Sequence, residues 1–469
     1  MHRSRLNIIF VTVDSLRADH LGCYGYSKPT SPNLDQFARE NSLFLHTFSD
    51  GPNTPHAFPA IMASQNSLMF SKLGLFDAPV TLAEVFKSAG YTTLGFNAAN
   101  PYVSRYFHYD RGFDEFHDYL DFSVPTDSLT SCRQSETGIN IPELDLNRYL
   151  ISDEVVRSKA YLEERINSDC FDAINSVSGE PFFLWIHFMD THFPYLPQPS
   201  AQLALGIESI SKEENFKLNT RVRENMPLSS AVLSRVVQLY DASIRQLDSK
   251  IGELFEFLKR RNIFESSMIA FTADHGEEFK DHGDLQHKSK LFDELIHVPL
   301  LIKKPHHQNS EVHEELVSLM QLAPTLLSSV GIENVFETNG IFDSIPGASN
   351  YSHSQVFSGA SYCGDNATPV DRNLLNIDVL PKIYSCREDY WKLIMDFGKD
   401  QKMLFNLIAD PLETQNLYQK EKNTASRLEE RLLERIVSLE KRCLKSKIAK
   451  VRRRVLSNPQ EANAVRLSS

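Results

Sequence analysis

The chain has 469 residues, of which 41% are hydrophobic and 23% charged, and a formal net charge of −12. That composition excludes a chain too polar to build a core, and the length allows one large domain or two smaller ones. The acidic balance argues against nucleic acid as the main partner, because phosphate binding rests on clustered Lys and Arg.

The first apolar run, "NIIFVTV", lies behind two early arginines and leads straight into Asp14. It is too short for a signal or a membrane span, so residues 6–13 read as a buried strand. No later window offers a long uncharged apolar run, which sets the expectation of a cytoplasmic protein. Cys23, Cys132, Cys170, Cys363, Cys386 and Cys443 form no CxxC pair and fit free thiols in a reducing compartment.

An amphipathic helix is predicted over "SPNLDQFAREN". The next signal is "SDGPNTPHAFPAIMAS", residues 49–64, which predicts a helix with Thr54 as N-cap and Pro55 as its first residue. "TLAEVFKSAG" reads as a helix and "TTLGFNA" as a strand. Residues 118–160 and 196–230 lack clean periodicity and read as insertions over one face. Between them, "PFFLWIHFM" is a strand that delivers Asp190 and His192. A long helix over "LYDASIRQLDSKIGELFEFLKRRN" precedes the strand "SMIAFTA", which runs into Asp274 and His275, and "VPLLIKK" is a further strand. Residues 338–370, rich in Gly, Ser, Asn and Pro, read as a long loop. Two short strand patterns in 371–418 make a small C-terminal subdomain, and 419–469 a charged helical tail.

Strands alternating with helices imply an α/β fold with a largely parallel central sheet flanked by helices. In such sheets ligands sit at the carboxyl ends of the strands, where Asp14, Asp190, His192, Asp274 and His275 all fall. Carboxylates and imidazoles emerging from neighbouring strands can converge on one divalent cation. Thr54 then has two readings, a plain helix cap or a nucleophile. A Thr hydroxyl needs a metal or a base to attack at neutral pH.

The segments "NIIFVTVDSLRADHLGCYGY", "HFMDTHFPYLP", "IAFTADHGEEFKDHG", "LFDELIHVPLLIK" and "LFNLIADPLETQNL" occur in an order that resembles the sulfatase family of the alkaline phosphatase superfamily, from about residue 5 to about residue 418. The resemblance implies an alkaline-phosphatase-like sandwich, with a catalytic domain over 1–370 completed by the small subdomain. It implies hydrolysis of a sulfate ester, with Asp14, Asp274 and His275 as ligands of a divalent metal. Calcium is the first expectation, with magnesium, manganese and zinc open. His192 matches the family histidine at the ester or its leaving group. Lys288 falls where sulfatases place a lysine on the transferring group, and His287 is the adjacent candidate.

Two departures stand out. Ser15 occupies the place of a second Asp, and Thr54 the place of the Cys that becomes formylglycine, with Phe58 where that signal has Arg. Formylglycine hydrate has a second hydroxyl that expels sulfate, whereas a Thr intermediate must be broken by water or another acceptor. Related branches use a Thr nucleophile on phosphoryl groups, so phosphate ester hydrolysis, phosphoglycerol or phosphoethanolamine transfer, and a silent anion-binding member are the alternatives. The implied substrate is a small-molecule, glycan or lipid sulfate or phosphate ester.

Four further features carry two readings each. His56 faces the pocket or packs, and Arg17 binds an anion or pairs with Asp19. Glu277, Glu278, Asp281 and Asp284 are solvated loop charges or a second metal site. The basic stretch 440–455, with Leu444, Ile448, Val451 and Val455 at helical spacing, is a solvated or self-associating helix, or else contacts an anionic membrane surface or nucleic acid.

Overall fold

The computed structural model describes residues 6–120, 153–177, 179–223, 226–306, 310–342, 355–362 and 380–457. Fourteen strands are present among them. They are β1 (Ile8–Val13), β2 (Ser42–Phe48), β3 (Thr92–Asn97), β4 (Glu115–His117), β5 (Phe182–Phe188), β6 (Met268–Ala273), β7 (Glu278–Phe279), β8 (Leu285–Gln286), β9 (His297–Lys303), β10 (Glu311–Ser318), β11 (Gln355–Ser361), β12 (Lys382–Glu388), β13 (Trp391–Asp396) and β14 (Gln401–Asn406).

Eight of them form the central sheet in the order β10-β2-β9-β6-β1-β5-β3-β4. The pairs β1/β5, β1/β6, β3/β5, β3/β4 and β10/β2 are parallel, and β9 alone runs against its two neighbours. β1, β5 and β6 are buried along their whole length, as expected for parallel strands covered on both faces. The sheet is therefore the largely parallel one that the alternating pattern predicts.

The helices that carry the argument are α1 (Pro32–Glu40), α2 (Thr54–Ala63), α3 (Leu82–Ser88), α4 (Asp153–Ser176), α5 (Ser230–Arg260), α6 (Leu322–Ser329) and α7 (Lys422–Ser457). Phe37 of α1 stacks on Phe255 of α5 at 4.7 Å, and Phe171 of α4 stacks on Phe257 of α5 at 4.1 Å. Across β5, side chains alternate between faces. Phe183, Trp185 and His187 point to one side, where Phe183 stacks on Phe86 of α3 and Trp185 and His187 meet the edge of Phe58 of α2. That alternation turns the one imidazole in an apolar strand toward α2.

A second sheet, β11-β12-β13-β14, is antiparallel throughout, and α7 packs on it through Leu428, Leu432 and Leu439. The sequence signals only β13 and β14 of this sheet. β12 and β11 are additions, and β11 lies inside the stretch expected to be loop. Its "QVFSGAS" pattern places Ser and Gly where strand residues are usually larger, so hydrophobic periodicity is weak there. The irregular segment 196–230 holds two short helices, Pro199–Ala204 and Lys212–Arg223. Most of 118–160 and 338–370 lies outside the described residues.

β11 also braces the approach to α2. Gly359 N–H donates to Asp50 O at 2.8 Å and Ser358 Oγ to Ser49 O at 2.6 Å. A Cβ on Gly51 would sit 2.3 Å from His56 Cβ, so only glycine permits this close turn into the helix.

Candidate active site

Register brings the candidate residues to one edge of the sheet. Val13 pairs with Ala273 and Thr12 with His187, so Asp14 leaves β1 beside Asp274 leaving β6 and next to His187 in β5. Asp14, Asp274, His275 and His187 are all fully buried. His275 Nε2 lies 3.6 Å from Asp14 Oδ1 and 3.5 Å from Asp274 Oδ2, and His187 Nε2 lies 3.6 Å from Asp14 Oδ2. Asp274 Oδ2 has no hydrogen-bond donor although it is buried.

Thr54 is the first residue of α2, not its cap. Asn53 takes the cap position in extended conformation, and its carbonyl accepts from His56 N–H and Ala57 N–H at 3.0 Å. The Thr54 hydroxyl thereby escapes the capping role expected of it and points into the site. It donates to Asp14 Oδ2 at 3.1 Å and lies 3.3 Å from His275 Nε2.

Two residues that sequence reasoning missed complete the cluster. Asn100, just after β3, accepts from Tyr102 N–H through Oδ1, which orients its amide nitrogen inward. Asn100 Nδ2 then donates to Asp14 Oδ2 at 2.6 Å and lies 3.4 Å from both Thr54 Oγ1 and His187 Nε2. His187 Nε2 is therefore an acceptor, and its Nδ1 carries the proton toward Thr12 Oγ1 at 3.0 Å. His275 is held in the same tautomer, because Nδ1–H donates to Gly276 O at 2.8 Å. The signal for His187 was available as a lone imidazole in a run of apolar strand residues. Asn100 had none, since an Asn after a strand is common turn chemistry.

Electrostatics single out the same pair of carboxyls. Burial raises Asp274, and the charge of Asp14 beside it raises it further, well above the ordinary carboxyl range. Asp14 meets the same burial, but the imidazoles of His192, His187 and His275 hold it well below that range. Burial, aided by His287, pushes His275 down to about 3, so its Nε2 lone pair is available at neutral pH. Two buried carboxyls, one of them with an oxygen lacking any donor, and two imidazoles offering bare Nε2 atoms fit a divalent cation. Among the described residues, Asp14, His187 and Asp274 form the one such group whose ligand atoms all lie within 4.8 Å of one another.

Ser15, standing where a second Asp is expected, adopts a left-handed conformation with φ of 58°. It donates to Asp14 Oδ1 through Oγ at 2.7 Å and to Asp274 Oδ1 through its N–H at 3.3 Å, while Tyr240 OH donates to its carbonyl at 2.7 Å. The lost carboxylate is thus replaced by a residue that orients the two remaining ones.

At the rim, the His287 ring lies 4.5 Å from His275 and 5.2 Å from His192. His287 Nδ1 faces Glu277 Oε2 at 3.1 Å. Lys288 is engaged elsewhere, its Nζ donating to Asp284 Oδ1 at 2.9 Å, four residues back in sequence. The structure brings Asp14, Thr54, His192, Asp274, His275 and His287 together, and leaves Lys288 outside.

Other candidates serve the scaffold. Asp190 is buried against Lys250 Nζ at 2.5 Å. Arg17 joins Asp19, Asp281 and Glu277 O, so the pairing reading applies. Glu278 and Asp284 pair with Lys290, which leaves no second group of metal ligands among the described residues. His56 packs, with Nδ1 donating to Asn53 Oδ1 at 2.6 Å and Nε2 accepting from Ser361 N–H at 3.1 Å.

Human (Homo sapiens) iduronate 2-sulfatase is 25% identical over 342 residues, covering 64% of this chain and 60% of that protein's length. Choline-sulfatase of Rhizobium meliloti (strain 1021) is 24% identical over 447 residues, covering 89% of this chain and 83% of the relative. The phosphonate monoester hydrolase of Agrobacterium radiobacter superposes with a TM-score of 0.65 at 18% identity, covering 94% of this chain and 96% of that one. The family model described as Sulfatase matches residues 6–332, a span that holds every residue of the cluster, and the chain belongs to the sulfatase family.

Proposed function

We propose that the chain hydrolyses sulfate esters with Thr54 Oγ as the nucleophile. The observation that carries this reading is the buried Thr54 hydroxyl, 3.1 Å from Asp14 Oδ2 and 3.3 Å from His275 Nε2, at the carboxyl edge of the sheet. Family membership and the names of the relatives support ester hydrolysis.

Asp14, Asp274, His275 and His187 would hold a divalent ion. When bound, that ion would supply positive charge that lowers the proton affinity of the Thr54 hydroxyl and offsets charge on the transferring group. Two imidazole donors favour zinc or manganese over calcium, which prefers an all-oxygen shell.

In the proposed reaction, the Thr54 hydroxyl passes its proton to Asp14 Oδ2 while Oγ forms a bond to the sulfur and the bond to the ester oxygen breaks in line. His192 or His287, at the rim, gives a proton to the departing oxygen. Asn100 Nδ2 donates toward the nucleophile and steadies its developing charge. Water then attacks the sulfur of the Thr54 ester, giving a proton to the rim histidine that was deprotonated in the first step; the S–Oγ bond breaks, sulfate leaves, and Thr54 Oγ takes back the proton held by Asp14.

A second reading, hydrolysis or transfer of a phosphate ester, is favoured by the single hydroxyl of Thr54. One hydroxyl cannot expel the bound group by forming a carbonyl, so the second step is a displacement at sulfur or phosphorus. The substrate of either reaction is a small-molecule, glycan or lipid ester. The described thiols Cys23, Cys170, Cys386 and Cys443 are unpaired, which supports a reducing, cytoplasmic setting. No described helix is long and apolar enough to cross a membrane.

The test is turnover of 4-nitrophenyl sulfate, 4-nitrophenyl phosphate and bis-4-nitrophenyl phosphate by the purified chain loaded in turn with zinc, manganese, magnesium and calcium. Sulfate turnover that Thr54→Ala abolishes is the expected result. Phosphate turnover alone selects the second reading, and no turnover on any ester leaves the anion-binding alternative.

A further inference from the structure

Helix α7 carries two apolar faces, and the fold uses one. Ala425, Leu428, Leu432, Leu439 and Cys443 are buried against the body of the protein. Leu433, Val437, Leu444 and Ile448 are not, with 40%, 49%, 59% and 45% of their surface exposed. At about 100° per residue these four lie within roughly 60° of one another, on a strip well apart from the buried face. The sequence continues the same spacing at Val451 and Val455.

Charge decides what such a strip can meet. Residues 441–455 contain eight Lys and Arg and no Asp or Glu, in a chain whose net charge is −12. By helical position, Lys441 and Lys445 flank the strip on one side, and in the sequence Lys447 follows between Leu444 and Ile448. Basic residues bordering an apolar strip suit an interface where ammonium groups reach anionic headgroups while their stems lie along the apolar surface. A parallel second copy would set one cationic helix against another, with no acidic residues in 441–455 to pair across the seam. A nucleic acid would engage the charges and leave the apolar strip in water.

We propose that this face of α7 docks on an anionic lipid surface, with the helix lying in the plane of the interface. Leu444 and Ile448 enter the acyl boundary, and the flanking lysines bind phosphate headgroups.

The test is flotation of the full chain with vesicles of phosphatidylcholine alone and of phosphatidylcholine with one quarter phosphatidylglycerol. Binding to the anionic vesicles only, reversed in concentrated salt, is expected. Leu444→Asp with Ile448→Asp is expected to weaken partition at least tenfold, with an unchanged melting temperature because both sites are exposed. Lys445→Gln and Lys447→Gln are expected to weaken it by roughly fivefold each. Absence of flotation on anionic vesicles overturns the proposal, as does flotation that the double Asp variant leaves intact. A dimer in sedimentation that the same variant dissociates, without flotation, assigns the face to a second copy. Binding of a fluorescent RNA without flotation assigns it to nucleic acid.

Discussion

The Thr54 hydroxyl donates to Asp14 Oδ2 across 40 residues of sequence, and it does so because Asn53 rather than Thr54 caps α2. A capping hydroxyl would be spent on the helix's own N–H groups. Here Asn53 supplies the extended residue, and Pro55 needs no donor partner in the first turn. Thr54→Ala is therefore expected to cost about 10³-fold or more in kcat while leaving the melting temperature of the metal-free protein nearly unchanged. Thr54→Ser, which keeps the oxygen, is expected to retain activity within about tenfold. Steady-state kinetics and thermal melting of the three proteins check this.

His287 and Lys288 are neighbours in sequence with opposite environments. The His287 ring is 4.5 Å from His275, whereas Lys288 Nζ is tied to Asp284 at 2.9 Å. His287→Ala is expected to lower kcat by about 10²-fold or more, as loss of a proton donor or charge-stabilising group does. Lys288→Ala breaks a partly exposed ion pair and is expected to change kcat less than about threefold. A kcat ratio in the reverse order would return the role to Lys288.

Much of this was readable from sequence, and the gaps have physical causes. The strands β1, β5 and β6 announce themselves as short apolar runs because both faces of a parallel sheet are covered. Asp14, Asp274 and His275 are legible as candidates because they follow predicted strands, and the carboxyl ends of strands are where such sheets place ligands. The sequence could not say that the Thr54 helix begins one residue earlier, since that depends on the φ and ψ of Asn53. His187 had a visible signal, a lone imidazole in an apolar strand, but the face it takes follows only once β5 is known to turn alternate side chains toward α2. β11 was hidden by a Ser- and Gly-rich pattern whose stability comes from pairing with β12 and from clamping residues 49–51, both long-range relationships.

Removal of metal is expected to do more than stop turnover. Asp14 and Asp274 are both fully buried, and Asp274 Oδ2 has no protein donor, so Asp274 keeps its proton beside Asp14 when no cation is bound, and a cation between them would let both ionise. Dialysis against a chelator is expected to abolish activity and lower the melting temperature. Readdition at roughly a hundred times Kd is expected to restore about 2.7 kcal/mol. His187→Gln is expected to weaken zinc binding by about tenfold or more in calorimetry, with a smaller effect on calcium. Equal effects on the two ions would remove His187 from the ligand set.

His56 gives the protein an acid-sensitive latch between α2 and the second sheet. Burial lowers it from 6.5 to about 4, and it is held neutral with Nδ1–H on Asn53 and Nε2 accepting from Ser361 N–H. Between those values the unfolded chain binds a proton that the folded one does not, so stability rises with pH over this window and falls as pH drops from 6.5 toward 4. The difference corresponds to about 3 kcal/mol. His56→Gln cannot charge, so it is expected to cost stability at pH 7.5 but to lose less than the native chain between pH 7 and 4. Urea midpoints measured across that range check this, and parallel pH profiles for the two proteins would show that another group sets the acid limit.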